Sequence, residues 1–525
     1  MSREPVNFNY GEQQLTPRIA LDIARGKCVG QITAATREKI ERSCRIVDKI
    51  VAGTQAVYGI NTGFGPLCTT PISAADTERL QANILRSHSA GVGDPVPVEI
   101  ARLMLILKIQ ALAKGHSGIR PATLERIIWM VDNNITPVVP SQGSVGASGD
   151  LAPLAHLFLP LIGLGEIHAG ARIRPGGEAL TVAGLAPLRL GAKEGLALIN
   201  GTQFITAHAV LALERFQNCL DNADIIGAMT LEALLGSVRP FADELHSLRA
   251  FDGSRHVAYC LRRLLQGSAM TASHADCQRV QDPYSLRCMP QVHGASRTAW
   301  RHLLDTVLVE LDSVTDNPVI LADGTTISGG NFHGQPLALP LDYAVLAASE
   351  LGNISDRRTY LLLDGEFSGL PKLLMRDIGI NSGFMIPQYT SAALVSENKN
   401  LCFPASADSI PTSLGQEDHV SMGSISGRKL LQVIDNLENI LAVELVSAAQ
   451  AFDFREPLQS SPILEACHDC IRAEIDHARE DRVFAADLAA AREIIRSGRL
   501  ADCARQAAAA AGIDLSGPLG ARFEL

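Results

Sequence analysis

The sequence predicts a mainly α-helical protein with a long central helical bundle and few short strands, and three observations carry that expectation. Leu303, Leu304, Val307, Leu308, Leu311 and Val314 recur at three- and four-residue steps, which places them on one face of a helix. The segments Val96 to Lys114 and Lys429 to Phe452 are apolar around most of their circumference, as central helices of a bundle or an oligomer are. Strand signals are few: Ala171 to Pro175 and Pro318 to Ile327 each read as a small hairpin-like excursion between helices. No internal repeat is present, and the single biased tract is the Ala-rich stretch from Arg505 to Gly512.

Length and charge narrow the class of partner. A chain of 525 residues that is 46% apolar can bury a large core, and length alone suggests two to four domains. The net charge is -10 with no basic run, which argues against nucleic acid or an anionic membrane and for a small molecule. The chain starts without an apolar signal stretch and its 11 cysteines are scattered, so reduced thiols and a cytoplasmic location are expected. Cys467-His468-Asp469-Cys470 lacks the second pair a structural zinc site needs and reads as a coincidence on a helix surface; no metal is expected. The longest apolar run, Leu151 to Gly165, is broken by Pro153, His156 and Pro160 and is too short to span a bilayer.

Gly and Asn cluster at Tyr58 to Gly65, Gly143 to Asp150, Ser328 to Asn331 and Gly379 to Gly383, and these are the candidate site loops. The second is the most informative: Gly143-Ser-Val-Gly-Ala-Ser-Gly-Asp-Leu-Ala-Pro-Leu-Ala-His156. Its Ala147-Ser148-Gly149 core can make an electrophile from backbone alone. If the turn is compressed, the Gly149 amide nitrogen attacks the Ala147 carbonyl carbon, water leaves and a five-membered ring closes; glycine tolerates such a backbone because it has no Cβ. A second dehydration turns the Ser148 Cβ into a conjugated methylidene, and the product is 4-methylidene-imidazol-5-one, MIO. As a bare tripeptide the same residues suit a turn entering an apolar helix. A serine-hydrolase elbow fails because Asp150 stands where its last Gly belongs.

The run from Gly143 to His156 resembles the signature of the aromatic amino acid ammonia-lyase and aminomutase family, and the resemblance extends from about Val57 to about Phe452 at motif level. It implies the family's MIO-lyase, fumarase/aspartase-like fold, with an MIO-bearing N-terminal domain over residues 1–200, a helical-bundle domain over 201–525 and a homotetramer. It also implies MIO formed from Ala147, Ser148 and Gly149, with no dissociable cofactor. Tyr58, in Tyr58-Gly-Ile-Asn-Thr-Gly-Phe-Gly65, resembles the family's catalytic base, a role that asks for a phenol pKa lowered from about 10. Arg287, in Gln281-Asp-Pro-Tyr-Ser-Leu-Arg-Cys288, resembles the carboxylate clamp, since a guanidinium offers two parallel N–H bonds. Gln281 and Tyr284 resemble site-lining hydrogen-bond partners, while Asn200 and Phe332 resemble residues that contact the prosthetic group. Asn200 also reads as a helix-start residue and Phe332 as a core residue.

Two positions address the substrate. The family sorts substrates where this chain has Ser87-His88: tyrosine lyases tend to carry His-Leu there, phenylalanine lyases Phe-Leu and histidine lyases Ser-His. Glu417 stands where lyases of carbocyclic substrates usually carry Gln. An acid and an imidazole suit an imidazole ring, so the implied reaction is elimination of ammonia from L-histidine to give trans-urocanate, the first step of histidine degradation. Arg86-Ser87-His88-Ser89 also resembles bacterial tyrosine aminomutases, and His293 stands where an apolar residue is usual. The alternatives are a tyrosine or phenylalanine ammonia-lyase or 2,3-aminomutase of the same family and, in another class, a non-catalytic assembly protein.

Overall fold

The computed structural model describes residues 6–54, 56–65, 72–170, 172–275 and 279–525. Its centre is a bundle of four long helices, Gln203–Ala233, Met289–Leu311, Gln335–Leu363 and Gly423–Asp453, in which the first touches each of the others. The expected apolar helices are present as Val98–Ala113 and Gly423–Asp453, and every residue from Ile100 to Ala113 is buried. The helix expected around Leu303 runs further towards the N-terminus, because its first turns carry His293 and Arg297, polar residues that are buried all the same. A period of apolar residues cannot register those turns.

Both expected hairpins form: Glu166–Ala169 pairs with Arg172–Pro175 and Val319–Ile320 with Thr326–Ile327, Ala171 itself lying outside the described residues. Two pairings were not legible. Val6–Asn9 runs parallel to Cys28–Gln31, and Val92–Pro95 pairs antiparallel with Pro140–Gln142. The second of these positions the site, since it lays the turn after helix Ala74–His88 beside the start of the Gly143 loop, where a Cβ on Gly143 would come within 3.1 Å of the Gly91 Cα.

One hydrophobic cluster extends from Phe8 to Phe523 and crosses position 200, where helix Val98–Ala113 packs on helix Gln203–Ala233. Among the described residues no helix is long and apolar enough to cross a membrane. Cys467 and Cys470 lie on helix Pro462–Arg472, but Cys467 is fully buried rather than on a surface. Among the described residues no cluster of His, Cys, Asp and Glu is suited to a metal ion.

Candidate active site

The loop from Gly143 to Asp150 is pinned to the start of helix Gly423–Asp453. Met422 N–H donates to the Val145 carbonyl at 3.0 Å, and Ser424 Oγ donates to the Ser144 carbonyl at 2.6 Å. Ala147 is buried in a small apolar cluster with Val420 and Met422. Two glycines make this approach possible. A Cβ on Gly146 would stand 2.2 Å from Ser421 Oγ, and one on Gly149, which has φ +76°, would stand 2.1 Å from the Gly201 carbonyl oxygen. Gly149 therefore lies flat on Gly201, with Gly201 N–H donating to the Ser148 carbonyl at 3.3 Å and Asp150 N–H donating to the Gly201 carbonyl at 2.7 Å.

Asp150 anchors the loop from behind. Its fully buried carboxylate accepts the Phe204 and Ile205 amides, both at 3.0 Å, at the first turn of helix Gln203–Ala233, and Ser144 Oγ at 3.1 Å. Burial pushes its carboxyl up to about 7 against those donors, which favour the charged form. An Asp directly before an apolar helix reads as the cap of that helix, yet Asp150 caps a different one, so no local signal could have found this role.

Asn200 ends helix Glu194–Ile199 instead of starting a helix. It is buried, its Oδ1 lacks a hydrogen-bond partner among the described residues, and its carbonyl accepts the Nζ of the fully buried Lys108.

Across the loop, Ser148 Oγ donates to Glu417 Oε1 at 3.0 Å. Glu417 Oε2 accepts Thr412 Oγ1 at 2.9 Å and Ser413 Oγ at 2.8 Å, so the carboxylate is held by hydroxyls on both sides. His88 closes helix Ala74–His88, with Nδ1 3.0 Å from Ser87 Oγ. Burial pulls its imidazole below the usual histidine range, and the nearby Glu417 charge opposes that pull. His156 lies on the helix that follows the loop, and its Nε2 accepts Gly91 N–H at 3.1 Å, tying the His88 turn to that helix. Arg86 bonds back to Asn83 Oδ1 on its own helix at 2.9 Å.

Tyr58 sits half-buried on its glycine turn, its hydroxyl accepting Gly65 N–H at 3.3 Å. Phe332 precedes His333, which stacks on His419 with ring centroids 5.8 Å apart and bonds the His419 carbonyl at 3.3 Å. That contact sets the Ser328 to Phe332 loop beside the Glu417 segment.

Within one chain the structure thus gathers Ala147, Ser148, Gly149, Asn200, His88 and Glu417. It does not join Gln281, Tyr284 and Arg287 to them by any hydrogen bond among the described residues. Tyr284 and Arg287 begin and end the short helix Tyr284–Arg287, which Gln281 precedes; there Arg287 Nε donates to the Asp282 carbonyl at 3.0 Å and the guanidinium lies over the Tyr284 ring, itself 71% exposed. The Gly379 to Gly383 loop is likewise engaged elsewhere: the Ser382 and Gly383 amides donate to Asp481 at 2.7 and 2.8 Å.

His293 occupies a buried polar network in the bundle. Its Nδ1 meets Asp224 at 2.7 Å, its Nε2 meets Arg358 at 3.2 Å, and Arg358 pairs with Glu444 at 2.6 Å. Burial keeps its imidazole below the usual range, so the ring is neutral, donating to Asp224 and accepting from Arg358. An apolar residue at this position would leave both partners short of a bond.

A helical bundle carrying a glycine-rich Ala-Ser-Gly loop at the end of its longest helices defines a class of lyase. The chain belongs to the aromatic amino acid lyase family, whose model matches residues 15–473. It is 52% identical to histidine ammonia-lyase of Sorangium cellulosum over 91% of this chain and 94% of that protein. Among solved structures it is similar to histidine ammonia-lyase from Trypanosoma cruzi, with 40% identity, 98% of each chain covered and a TM-score of 0.89. It is also similar to tyrosine aminomutase from Streptomyces globisporus, with 35% identity over 96% of this chain and 99% of that one and a TM-score of 0.90.

Proposed function

We propose that this protein eliminates ammonia from L-histidine to give trans-urocanate, and that its electrophile is MIO formed from Ala147, Ser148 and Gly149. The observation that carries the reading is the Ser148 to Glu417 bond of 3.0 Å with the His88 imidazole within range of the Glu417 charge: an acid on the reactive serine and an imidazole beside that acid suit an imidazole substrate. Relatives of about half identity that carry the name histidine ammonia-lyase support it.

The residues present suit the group. Gly149 has a left-handed φ and no space for a Cβ, Gly201 N–H faces the Ser148 carbonyl, and the orphaned Asn200 Oδ1 is a buried polar atom in want of a partner. When formed, the group supplies a soft electrophile that captures a nucleophilic atom of the substrate. The chain's other residues do the rest. Tyr58 takes the β-proton, Arg287 clamps the carboxylate with Gln281 and Tyr284 beside it, and Phe332 and Asn200 hold the prosthetic group open. His88 and Glu417 hydrogen-bond the imidazole and set its protonation state.

The proposed protein is a cytoplasmic homotetramer. Among the described residues no hydrogen bond ties Arg287 to Ser148 within its own chain, which supports a site completed by a second copy. Residues 1–200 bear the electrophile and residues 201–525 supply the bundle on which copies assemble.

The test is the ultraviolet trace of purified protein given L-histidine, L-tyrosine and L-phenylalanine separately, with Ser148→Ala alongside. Urocanate from histidine alone, and only with Ser148 present, is the expected result. Coumarate or cinnamate would overturn the substrate, a β-amino acid product would make the protein an aminomutase, and silence together with an undehydrated tripeptide would make it a non-catalytic assembly protein.

A further inference from the structure

Lys108 is the feature that the proposed chemistry leaves unused. It lies on helix Val98–Ala113 among apolar neighbours, is 1% exposed, and donates through Nζ to the carbonyl of Asn200. Burying an ammonium is costly, and a lysine is a poor choice for satisfying one backbone carbonyl, a task water or a serine performs at less expense. The position of that carbonyl gives the reason. The Asn200 C=O and the Gly201 N–H belong to the same peptide group, and that N–H donates to the Ser148 carbonyl at 3.3 Å. A cation at one end of a peptide strengthens the donor at its other end, because hydrogen bonds in series polarise one another.

We propose that Lys108 is a positioning residue for the electrophile. Its ammonium polarises the Asn200–Gly201 peptide, and that peptide draws electron density from the Ser148 carbonyl and sharpens the reactivity of the Ser148 Cβ. The inference rests on the proposed conversion of Ala147-Ser148-Gly149 into MIO. A donor aimed at an oxygen that gains charge during a reaction lowers its barrier, and here the donor's strength is set from the far side of one peptide. Burial pulls the Lys108 ammonium down to about 7, while Asp316 and Asp150 favour its charged form. Asp316 is in turn paired with Lys193 at 2.6 Å, whose own charge works against the Lys108 ammonium, so Asp150 is the carboxylate left to balance it.

The experiment compares wild type with Lys108→Met, Lys108→Gln, Lys108→Arg and the control Arg102→Met. Arg102 is a buried cation on the same helix that also bonds a backbone carbonyl, that of Ala24 at 2.7 Å, away from Asn200. Two readouts avoid turnover: the mass of the peptide carrying residues 147–149, short by two waters when converted, and the rate at which sodium borohydride bleaches its near-ultraviolet absorbance. Borohydride delivers hydride to the dehydrated Ser148 Cβ while water supplies the proton.

Folded Lys108→Met is expected to be bleached about tenfold more slowly than wild type, or to retain the unconverted tripeptide. Lys108→Gln, which keeps a donor without the charge and spares the fold, falls between them, and Lys108→Arg stays within about threefold of wild type. Arg102→Met matches wild type in both readouts. Full conversion with bleaching within about twofold of wild type in Lys108→Met or Lys108→Gln would reduce Lys108 to a structural role. An unconverted tripeptide in wild type would instead overturn the proposed function itself.

Discussion

Ser148 Oγ donates to Glu417 Oε1 at 3.0 Å across 269 positions of sequence, and the bond joins the residue proposed to bear the electrophile to the residue proposed to address the substrate ring. Two hydroxyls already hold the other Glu417 oxygen, so the carboxylate is fixed before any substrate arrives.

From this follows the sharpest prediction about specificity. Glu417→Gln keeps the side chain's size and its acceptor for Thr412 and Ser413 but removes the charge facing an imidazole. It is expected to lower kcat/KM for L-histidine by about a hundredfold, some 3 kcal/mol, with little loss of fold. Steady-state kinetics beside a melting curve checks it, and unchanged kinetics would detach Glu417 from the substrate.

Gly149→Ala tests the backbone. The new Cβ would overlap the Gly201 carbonyl, and the left-handed φ adds about 1–2 kcal/mol of strain. The expected product is a protein of lowered Tm whose tripeptide keeps its full mass. Intact mass spectrometry decides, and a two-water loss in this variant would show that the close approach to Gly201 is dispensable.

Sharing of the site between copies is testable by mixing. Arg287→Ala and Ser148→Ala should each be inactive, with losses of at least about a thousandfold for Ser148→Ala, or 4 kcal/mol. Co-expressed, they should regain measurable activity if the clamp and the electrophile of one site come from different chains. Continued inactivity of mixed oligomers would place both in one chain.

Acid stability has a specific contributor at His208, one helical turn beyond the residues that Asp150 caps. Its Nδ1 donates to the Phe204 carbonyl at 2.8 Å, and burial pulls its imidazole down to about 4 from 6.5. The unfolded chain therefore binds a proton that the folded chain refuses. The contribution is complete above pH 6.5 and is lost as pH falls from there towards 4, by about 3 kcal/mol. Denaturant melts of wild type and His208→Gln between pH 7 and 4.5 should show the acid loss of stability shrinking by a large part of that amount in the variant.

The helical class, the two small hairpins and the Ala147-Ser148-Gly149 loop were legible because each depends on neighbours in sequence: an apolar period, a turn flanked by short strands, glycines around a serine. His88 and Glu417 were legible through resemblance alone, and their meeting was not. The contacts of Asp150, His156, His333 and Lys108 were not legible for a common reason: each acts on a backbone group or ring far away in the chain. Asp150 offers the plainest case, since its position promised a cap for the helix it precedes and its carboxylate caps another.

Local sequence thus settled which residues could close a ring, because that chemistry needs three consecutive residues and a glycine free of Cβ. Packing settled the surroundings of that tripeptide. The Gly201 peptide against which it lies, the lysine behind that peptide and the acid above the serine come from three separate segments, and they meet because burying the apolar faces of the long helices leaves their ends a single arrangement. It also left Arg287 on an element with no hydrogen bond to Ser148 among the described residues of the same chain. No spacing in the sequence could announce that separation, since a side chain's reach is set by where its helix packs and not by its place in the chain.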